Sequence, residues 1–276
     1  YRQHQAYGSI SWAPNDRLEI GTDISHMQYR AQLPGGLTDD AFREDPAQSV
    51  RSRNDFRIEW LLSALKATWR TEGRSRLDFK LFHLNAEREA LGALNAIHRP
   101  DPMRERDLIE GQYDNWGMET RYRHGYNFRN LPSNLVFGIR MYSGMTRSKQ
   151  GLARAGSEAD FRFLHPEHPE QYSYRYPGKN ASVFVENVLN LSPRFTLTTG
   201  VRWEYIETNA RGYYRENVYI GDSLYHYARH SESEQNIRKF PLFGVGFSYR
   251  MHENIEWYTN VTQNFRSINF SDLRAS

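Results

Sequence analysis

The sequence of 276 residues has no cysteine and no long apolar run. The absence of cysteine excludes a disulfide scaffold, a cysteine-ligated zinc site and a thiol nucleophile. The longest apolar stretch, around Trp60, Leu61 and Leu62, is far shorter than the roughly 20 residues that a membrane-spanning helix needs. A formal net charge of +3 is too small to indicate a nucleic-acid partner, so we expect none.

Apolar residues are scarce, whereas aromatic residues are abundant. Apolar residues make up 38% of the chain, below the roughly 45–50% that is usual in globular domains. The chain nevertheless contains 18 tyrosines, 15 phenylalanines and 6 tryptophans, and disordered chains are poor in aromatic residues. The composition therefore indicates an ordered protein that presents much polar surface.

Tight-turn signals recur about every 60 residues. They centre on Asn15, Gly73, Asn130, Pro193 and Glu253. The intervals are 58, 57, 63 and 60 residues, which is the mark of an internal repeat. The segments beside each turn alternate with period two, which is typical of strands with two unlike faces. Each repeat is therefore predicted to be a long β-hairpin.

The links between these hairpins are long and polar, at approximately 32–54, 88–112, 146–180 and 209–237. Short turns that alternate with long links are expected of an outer-membrane barrel. Aromatic residues occur near both ends of the strands, as interfacial girdles do. Near the short turns they are Trp12, Trp69, Phe195, Tyr249 and Trp257, and near the links they are Tyr29, Trp60, Tyr142, Trp203 and Tyr205. We predict an all-β, transmembrane antiparallel β-barrel with about ten strands, and a soluble β-sandwich or soluble barrel is the alternative.

Several motifs occur in the order found in one receptor family. They are residues 33–39 (LPGGLTD), 45–49 (DPAQS), 114–117 (DNWG), 142–151 (YSGMTRSKQG), 200–205 (GVRWEY) and 263–272 (QNFRSINFSD). In this order and on this period, the chain resembles TonB-dependent outer-membrane receptors of the ferric-citrate type found in Bacteroidetes-like bacteria. The resemblance covers essentially the whole chain.

The resemblance implies a non-enzymatic receptor in the outer membrane of a Gram-negative bacterium, surrounded by lipid and lipopolysaccharide. It implies binding of a ferric siderophore or ferric-citrate-like chelate outside, and import driven by the TonB complex. The iron chelate would be the transported ligand, and we expect no cofactor and no resident metal. Family barrels have 22 strands and an N-terminal plug through which TonB acts. We expect residues 1–276 to be a partial barrel domain, a middle section of about ten strands without the plug.

Charged residues share one phase of the strand pattern. Fourteen residues, eight acidic and six basic, are predicted to face the lumen: Glu19, Asp23, Arg57, Glu59, Asp78, Lys80, Glu119, Arg121, Arg123, Arg140, Glu186, Arg202, Glu204 and Glu256. A charge on the lipid side would cost about 2–4 kcal/mol at the bilayer midplane. The shared phase therefore predicts a wet interior in which these charges pair with one another or with a plug.

Basic residues near the links are candidates for ligand binding. They are Arg51, Arg53, Arg57, Arg147 and Lys149. In an extended segment residues 51, 53 and 57 share a face, so three guanidinium groups would line one wall of a vestibule. Guanidinium groups bind carboxylates in bidentate fashion, which suits an anionic iron chelate. The alternative for each residue is a solvated surface or contact with lipopolysaccharide.

Two rival functions remain at this point. The first is a passive porin-like or surface-adhesion barrel. This function would be favoured if the full gene encoded no plug and no TonB-contacting segment. The second is an outer-membrane hydrolase, because residues 221–224 (GDSL) match the opening motif of one hydrolase class. In that class an Asp-x-x-His pair follows the serine motif, whereas here Asp23 and His26 precede Ser223 by about 200 residues. We therefore expect no catalytic activity.

Overall fold

The computed structural model describes residues 1–33, 35–220 and 223–265, and at 217–220 and 223–227 it describes the backbone alone. Ten strands form one antiparallel sheet in which each strand pairs with the next. The strands are β1 (Arg2–Asn15), β2 (Leu18–Gln32), β3 (Asp55–Arg70), β4 (Arg76–Gly92), β5 (Arg106–Phe128), β6 (Leu131–Ala153), β7 (Tyr172–Ser192), β8 (Phe195–Ile220), β9 (Ser223–His252) and β10 (Ile255–Thr262). The prediction of an all-β fold with about ten antiparallel strands is confirmed.

The sheet is open, with β1 and β10 at its two edges. The sequence predicts unpaired outer edges on the first and last strands, and the described strands have this arrangement. Among the described residues, no helix is long and apolar enough to cross a membrane.

The five tight turns lie where the sequence predicts them, and local chemistry explains the geometry of two. Asn15 Oδ1 accepts hydrogen bonds from the backbone N–H groups of Arg17 and Leu18, at 2.9 and 3.0 Å. Arg129 and Asn130 have φ angles of 50° and 62°. A two-residue type I′ hairpin turn needs positive φ at both residues, and its backbone twist matches that of the flanking strands. Because strands alternate in direction, all five turns lie at one rim and all links at the other.

The pairing register divides the sheet into two faces. Residues directly opposite each other point to the same side, so one face can be traced from β1 to β10. We call the face with Leu197 and Val201 of β8 the outer face, because it carries the apolar residues. We call the face with Arg202 and Glu204 the inner face.

The apolar band on β8 has the length that a membrane requires. From Phe195 to Tyr205 the outer face reads phenylalanine, leucine, threonine, valine, tryptophan and tyrosine. Ten residue steps span about 33 Å along a strand. A tilt of about 40° reduces this length to a band about 25 Å tall, the height usual in outer-membrane barrels.

The aromatic girdles are partly as predicted. All five aromatic residues near the short turns lie on the outer face, and Trp12 and Trp257 are 63% and 65% exposed. In the second girdle, Trp203 lies on the outer face with Tyr205, and Trp116 of β5 joins them. The register places the other three predicted members of this girdle on the inner face: Tyr29, Trp60 and Tyr142. Their assignment to the girdle is therefore wrong.

The links are shorter than the sequence predicts. Residues 88–92, 106–112, 146–153 and 172–180 belong to strands, and β8 and β9 pair across nearly the whole predicted link at 209–237. The alternation of apolar and polar residues stops where both faces of a strand meet water. A strand that continues beyond the membrane therefore has the composition of a loop.

The first link, 33–54, contains the short helix α1 (Asp39–Glu44). Thr38 Oγ1 caps it by accepting a hydrogen bond from the backbone N–H of Ala41, at 3.3 Å. The link beyond β6 packs on the outer face, where Phe161 and Phe163 cover a buried apolar cluster. This cluster comprises Leu91, Leu108 and Ala153.

A charge at mid-band tests the assignment of faces. In the complete protein, we expect Val201→Arg to lower the free energy of unfolding by about 2–4 kcal/mol, because the outer face meets lipid there. The measurement is guanidinium unfolding in phosphatidylcholine vesicles. The control is Thr198→Arg, on the inner face of the same strand, which should cost much less. Equal losses in both variants would contradict the assignment.

Candidate functional site

Twelve of the fourteen residues predicted to line the lumen lie on the inner face, and the exceptions are Arg57 and Glu59. The register pairs Glu119 with Arg140, and it pairs the inner-face residues Phe184 and Ser182 with Arg202 and Glu204. Asp23 and Glu19 belong to the same face of β2. The charges therefore form one polar wall, and the contacts below show how they neutralise one another.

The wall begins with Asp23, near the edge of the sheet. Its carboxylate accepts a hydrogen bond from Ser9 at 2.9 Å and forms an ion pair with Lys66. Glu19 lies 3.3 Å from the guanidinium group of Arg70. On β4, the Asp78 carboxylate accepts hydrogen bonds from Thr68 Oγ1 and Arg76 Nε, at 2.9 and 2.7 Å.

Two further acidic residues form ion pairs at the centre of the wall. Glu119 contacts Arg121 at 2.5 Å and Arg140 at 4.0 Å. Glu204, which is only 7% exposed, pairs with Arg202 and accepts a hydrogen bond from Asn180 Nδ2 at 2.7 Å. Glu186 lies on the same face, but it forms no ion pair with any described side chain.

The ring of Phe184 joins these two pairs. The guanidinium carbons of Arg121 and Arg202 lie 5.9 and 5.7 Å from the ring centroid, within the range of cation–π attraction. The ring also covers Gly138, so a side chain at this position would displace the ring of Phe184.

A concavity of about 620 Å³ opens over this part of the wall. Its lining includes Arg76, Asp78, Arg121, Arg123, Glu186, Arg202 and Glu204. Most of these charges are already paired, so the concavity has a polar surface with little unbalanced charge. Such a surface suits water, a polar protein segment or a hydrophilic solute.

Aromatic side chains follow the charged wall toward the link rim. Tyr174 and Tyr176 stack with ring centroids 5.6 Å apart, and Tyr172 lies 6.3 Å from Tyr174. On the neighbouring strands, Tyr214 stacks on His230 with centroids 5.0 Å apart. We call these five residues the aromatic ladder. Sequence reasoning missed it, although three tyrosines at alternate positions of β7 are visible in the sequence.

Arg51 and Arg53 are buried in the link region, at 3% and 2% exposure. They lie in a turn and not in an extended strand, so the premise that they share one wall with Arg57 is wrong. Their choice as ligand contacts stays a prediction, and their burial disfavours it.

The two guanidinium groups hold separate links together. Arg51 donates to the carbonyl oxygens of Ala96 and Arg99, both at 3.1 Å. Arg53 forms a bidentate ion pair with Asp101, and this contact holds the pKa of the Asp101 carboxyl below its usual range. These hydrogen bonds fasten the link 33–54 to the link 93–105.

A third arginine, which sequence reasoning missed, completes this arrangement. Arg106 is 1% exposed and donates to the backbone carbonyls of Arg53, Arg154 and Glu158, at 3.2, 3.0 and 2.6 Å. The link 154–171 is thereby joined to the other two. We call Arg51, Arg53 and Arg106 the arginine hub.

The other candidate ligand residues lie on the outer face. The register places Arg57 on the same side as Leu65, so its assignment to the lumen is wrong, and the same holds for Glu59. Arg147 and Lys149 share a side with Met141, and they do not face the lumen either. All of them lie beyond the apolar band, where a charged outer face meets water and carries no penalty.

An acidic cluster lies beside Arg57. Carboxylate oxygens of Glu87, Glu89 and Glu110 lie within 4.8 Å of one another, and Arg57 pairs with Glu89. Burial raises the pKa of the Glu89 carboxyl, and the nearby arginine offsets part of that rise. Burial also raises the pKa of Glu110. Three residues from two strands form this cluster, so only the pairing register reveals it.

Of the predicted hydrolase motif, Gly221, Asp222 and the side chain of Ser223 lie outside the described residues. The family-like motif at 263–272 lies outside them from residue 266 onward.

Comparison with known proteins identifies the class. The family model described as "TonB dependent receptor-like, beta-barrel" matches residues 2–276. The chain therefore belongs to this family, which is characteristic of Gram-negative outer membranes. No curated protein sequence matches the chain.

Solved receptor structures share the fold. The unliganded ferric citrate transporter FecA matches with a TM-score of 0.81 and 16% identity, over 98% of this chain and 37% of that one. The alcaligin receptor FauA of Bordetella pertussis gives 0.62 and 11%, over 95% and 35%. The ferric yersiniabactin receptor FyuA of Yersinia pestis gives 0.66 and 12%, over 94% and 37%. The chain thus spans less than half the length of these receptors.

The arginine hub predicts strong coupling between links. Arg53→Met leaves the Asp101 carboxylate buried without its partner, and breaking a buried pair costs about 3–5 kcal/mol. We expect amide hydrogen exchange in both links, 33–54 and 93–105, to accelerate together in the receptor. The control is Arg43→Met, because the ion pair of Arg43 with Asp40 is exposed to solvent. Faster exchange in one link alone would contradict the coupling.

Proposed function

We propose that this chain is part of an outer-membrane receptor that binds a ferric chelate outside the cell and imports it with TonB-coupled energy. The observation that carries the proposal is the paired polar wall on the inner face of a receptor-family barrel. The charges on this wall neutralise one another, so a hydrophilic solute could move along it without being held at one point. The matched structures, named as ferric citrate, alcaligin and ferric yersiniabactin receptors, support iron chelates as the cargo.

We assign the first contact with the chelate to the partly exposed members of the aromatic ladder, because Tyr174 itself is only 2% exposed. The ladder lies on the inner face beyond the charged wall, toward the rim from which a ligand would enter. Tyr174 donates a hydrogen bond to Glu232 Oε2 at 2.5 Å, which fixes the orientation of its ring. Rigid rings offer large contact area at low conformational cost. This assignment replaces the basic vestibule that the sequence predicts.

The test is uptake of iron by cells that carry the complete receptor. We expect accumulation of radioactive iron from at least one ferric siderophore or ferric citrate, and none in a strain without TonB. Uptake that continues without TonB would favour the passive barrel. Failure to accumulate any chelate from a broad panel would contradict the proposed function.

Removal of the aromatic ladder tests the contact surface. We expect the double variant Tyr172→Ala and Tyr214→Ala to weaken chelate binding to whole cells by about 2- to 13-fold per ring, at 0.5–1.5 kcal/mol each. The control is Tyr122→Ala on the outer face of β5, which should bind normally at the same surface level. Unchanged affinity in the double variant would show that the aromatic ladder is not the contact surface for the chelate.

A further inference from the structure

Beyond the apolar band, aromatic residues dominate the inner face. We call the upper inner face those inner-face residues of β2 to β9 that lie more than ten positions along a strand from its tight turn. Nine aromatic residues belong to it: Tyr29, Phe56, Tyr113, Tyr142, Tyr172, Tyr174, Tyr176, Tyr214 and Phe240. They occur on seven of the eight strands, so the aromatic character extends across the described part of this face.

Several of these rings contact one another. Near one end of the described sheet, Tyr29 and Phe56 meet edge to face with their centroids 6.4 Å apart. Near the other end, Tyr174 stacks on Tyr176, and Tyr214 stacks on His230. The face of an aromatic ring carries partial negative charge, so these rings attract apolar groups and cations and disfavour anions.

The upper inner face carries few charges, and most of them are acidic. Among the described residues its charged side chains are four acids and two bases: Asp107, Glu216, Glu232, Glu234, Arg88 and Arg238. The two arginines lie on β4 and β9, which are five strands and about 24 Å apart across the sheet. They therefore cannot grip one small anion together, as adjacent guanidinium groups do.

Three of the four acids already have partners. Glu232 accepts a hydrogen bond from Tyr174 at 2.5 Å, and Glu216 lies 3.2 Å from His230. Asp107 accepts a hydrogen bond from Gln171 Nε2 at 3.0 Å. These contacts use part of the negative charge, so the upper inner face is mostly aromatic and weakly acidic.

The links above this face do not supply the missing positive charge. Residues 35–54, 93–105 and 154–171 together contain ten acidic and seven basic residues. Two of the bases, Arg51 and Arg53, are buried in the arginine hub. The other three predicted ligand contacts lie on the outer face: Arg57, Arg147 and Lys149. An anion that approaches past the links therefore meets a surface of its own sign.

We infer that the imported chelate has zero or positive net charge and carries apolar or aromatic groups around its iron, as complexes with three hydroxamate groups do. Each hydroxamate contributes one negative charge, so three of them neutralise Fe(III). Citrate and catecholate complexes keep a negative charge, which the upper inner face and the links disfavour. The inference rests on the proposed function and specifies the substrate class of the same receptor.

The first test compares chelates in cells whose iron uptake depends on the complete receptor. The panel comprises neutral and cationic tris-hydroxamate complexes, ferric citrate and a tris-catecholate complex, all with radioactive iron. We expect uptake from at least one hydroxamate to exceed uptake from ferric citrate by about tenfold or more, because like charges slow encounter. An anionic complex that is taken up as fast as every hydroxamate, or faster, would overturn the inference and leave the proposed function standing. Uptake from none would contradict the proposed function itself.

A charge variant tests the physical reason. Glu234→Arg combined with Asn236→Arg places three arginines at alternate positions on the inner face of β9, with Arg238 as the third. We expect the affinity of the purified complete receptor for ferric citrate to rise about fivefold or more relative to its affinity for the imported hydroxamate, because charged hydrogen bonds are gained. The matched control, Glu253→Arg with Asn254→Arg, makes the same charge change at the tight-turn rim and should leave this ratio as it is. An unchanged ratio in the β9 variant, with heat-resistant migration on gels showing that it is folded, would overturn the inference.

Discussion

The structure depends on one constraint: inside a membrane, every backbone N–H and C=O group must find a partner within the protein. Long strands that pair with both neighbours satisfy this constraint. Each strand then presents alternate side chains to opposite sides. The side chains that face lipid are apolar, and those that face the interior are polar. The apolar band of β8 and the charged wall beside it are two results of the same pairing.

Above the membrane, lipid no longer restricts the outer face to apolar residues. Contacts between the links hold this part of the structure together. The strands continue, but both faces meet water, so the outer face becomes free to carry charge. The arginine hub binds three links through backbone carbonyls, and Phe161 and Phe163 cover the small apolar cluster on the strands. The link rim is therefore held by buried polar contacts more than by apolar packing.

The sequence was sufficient for the fold inside the membrane, because apolar alternation and turn residues are local signals. Asn130 and Pro193 marked turns correctly, and the shared phase of Glu119 and Arg202 placed both on one face. The same signals fail beyond the apolar band. Arg147 has no apolar neighbours that fix its phase, and the role of Arg106 depends on carbonyl groups from two distant links. Such contacts appear only when the pairing register and the link conformations are known.

The two faces of each strand meet different solvents, and β8 provides the most direct test of this difference. This chain has no cysteine, so single cysteines can be placed in turn at residues 195–205 of the receptor for spin labelling. The measurement compares the accessibility of each label to oxygen, which concentrates in lipid, with its accessibility to a water-soluble nickel chelate. The account predicts that both vary with period two and in opposite phase, with oxygen highest at Leu197, Val201 and Trp203. Two profiles in the same phase, or the reverse order of maxima, would contradict it.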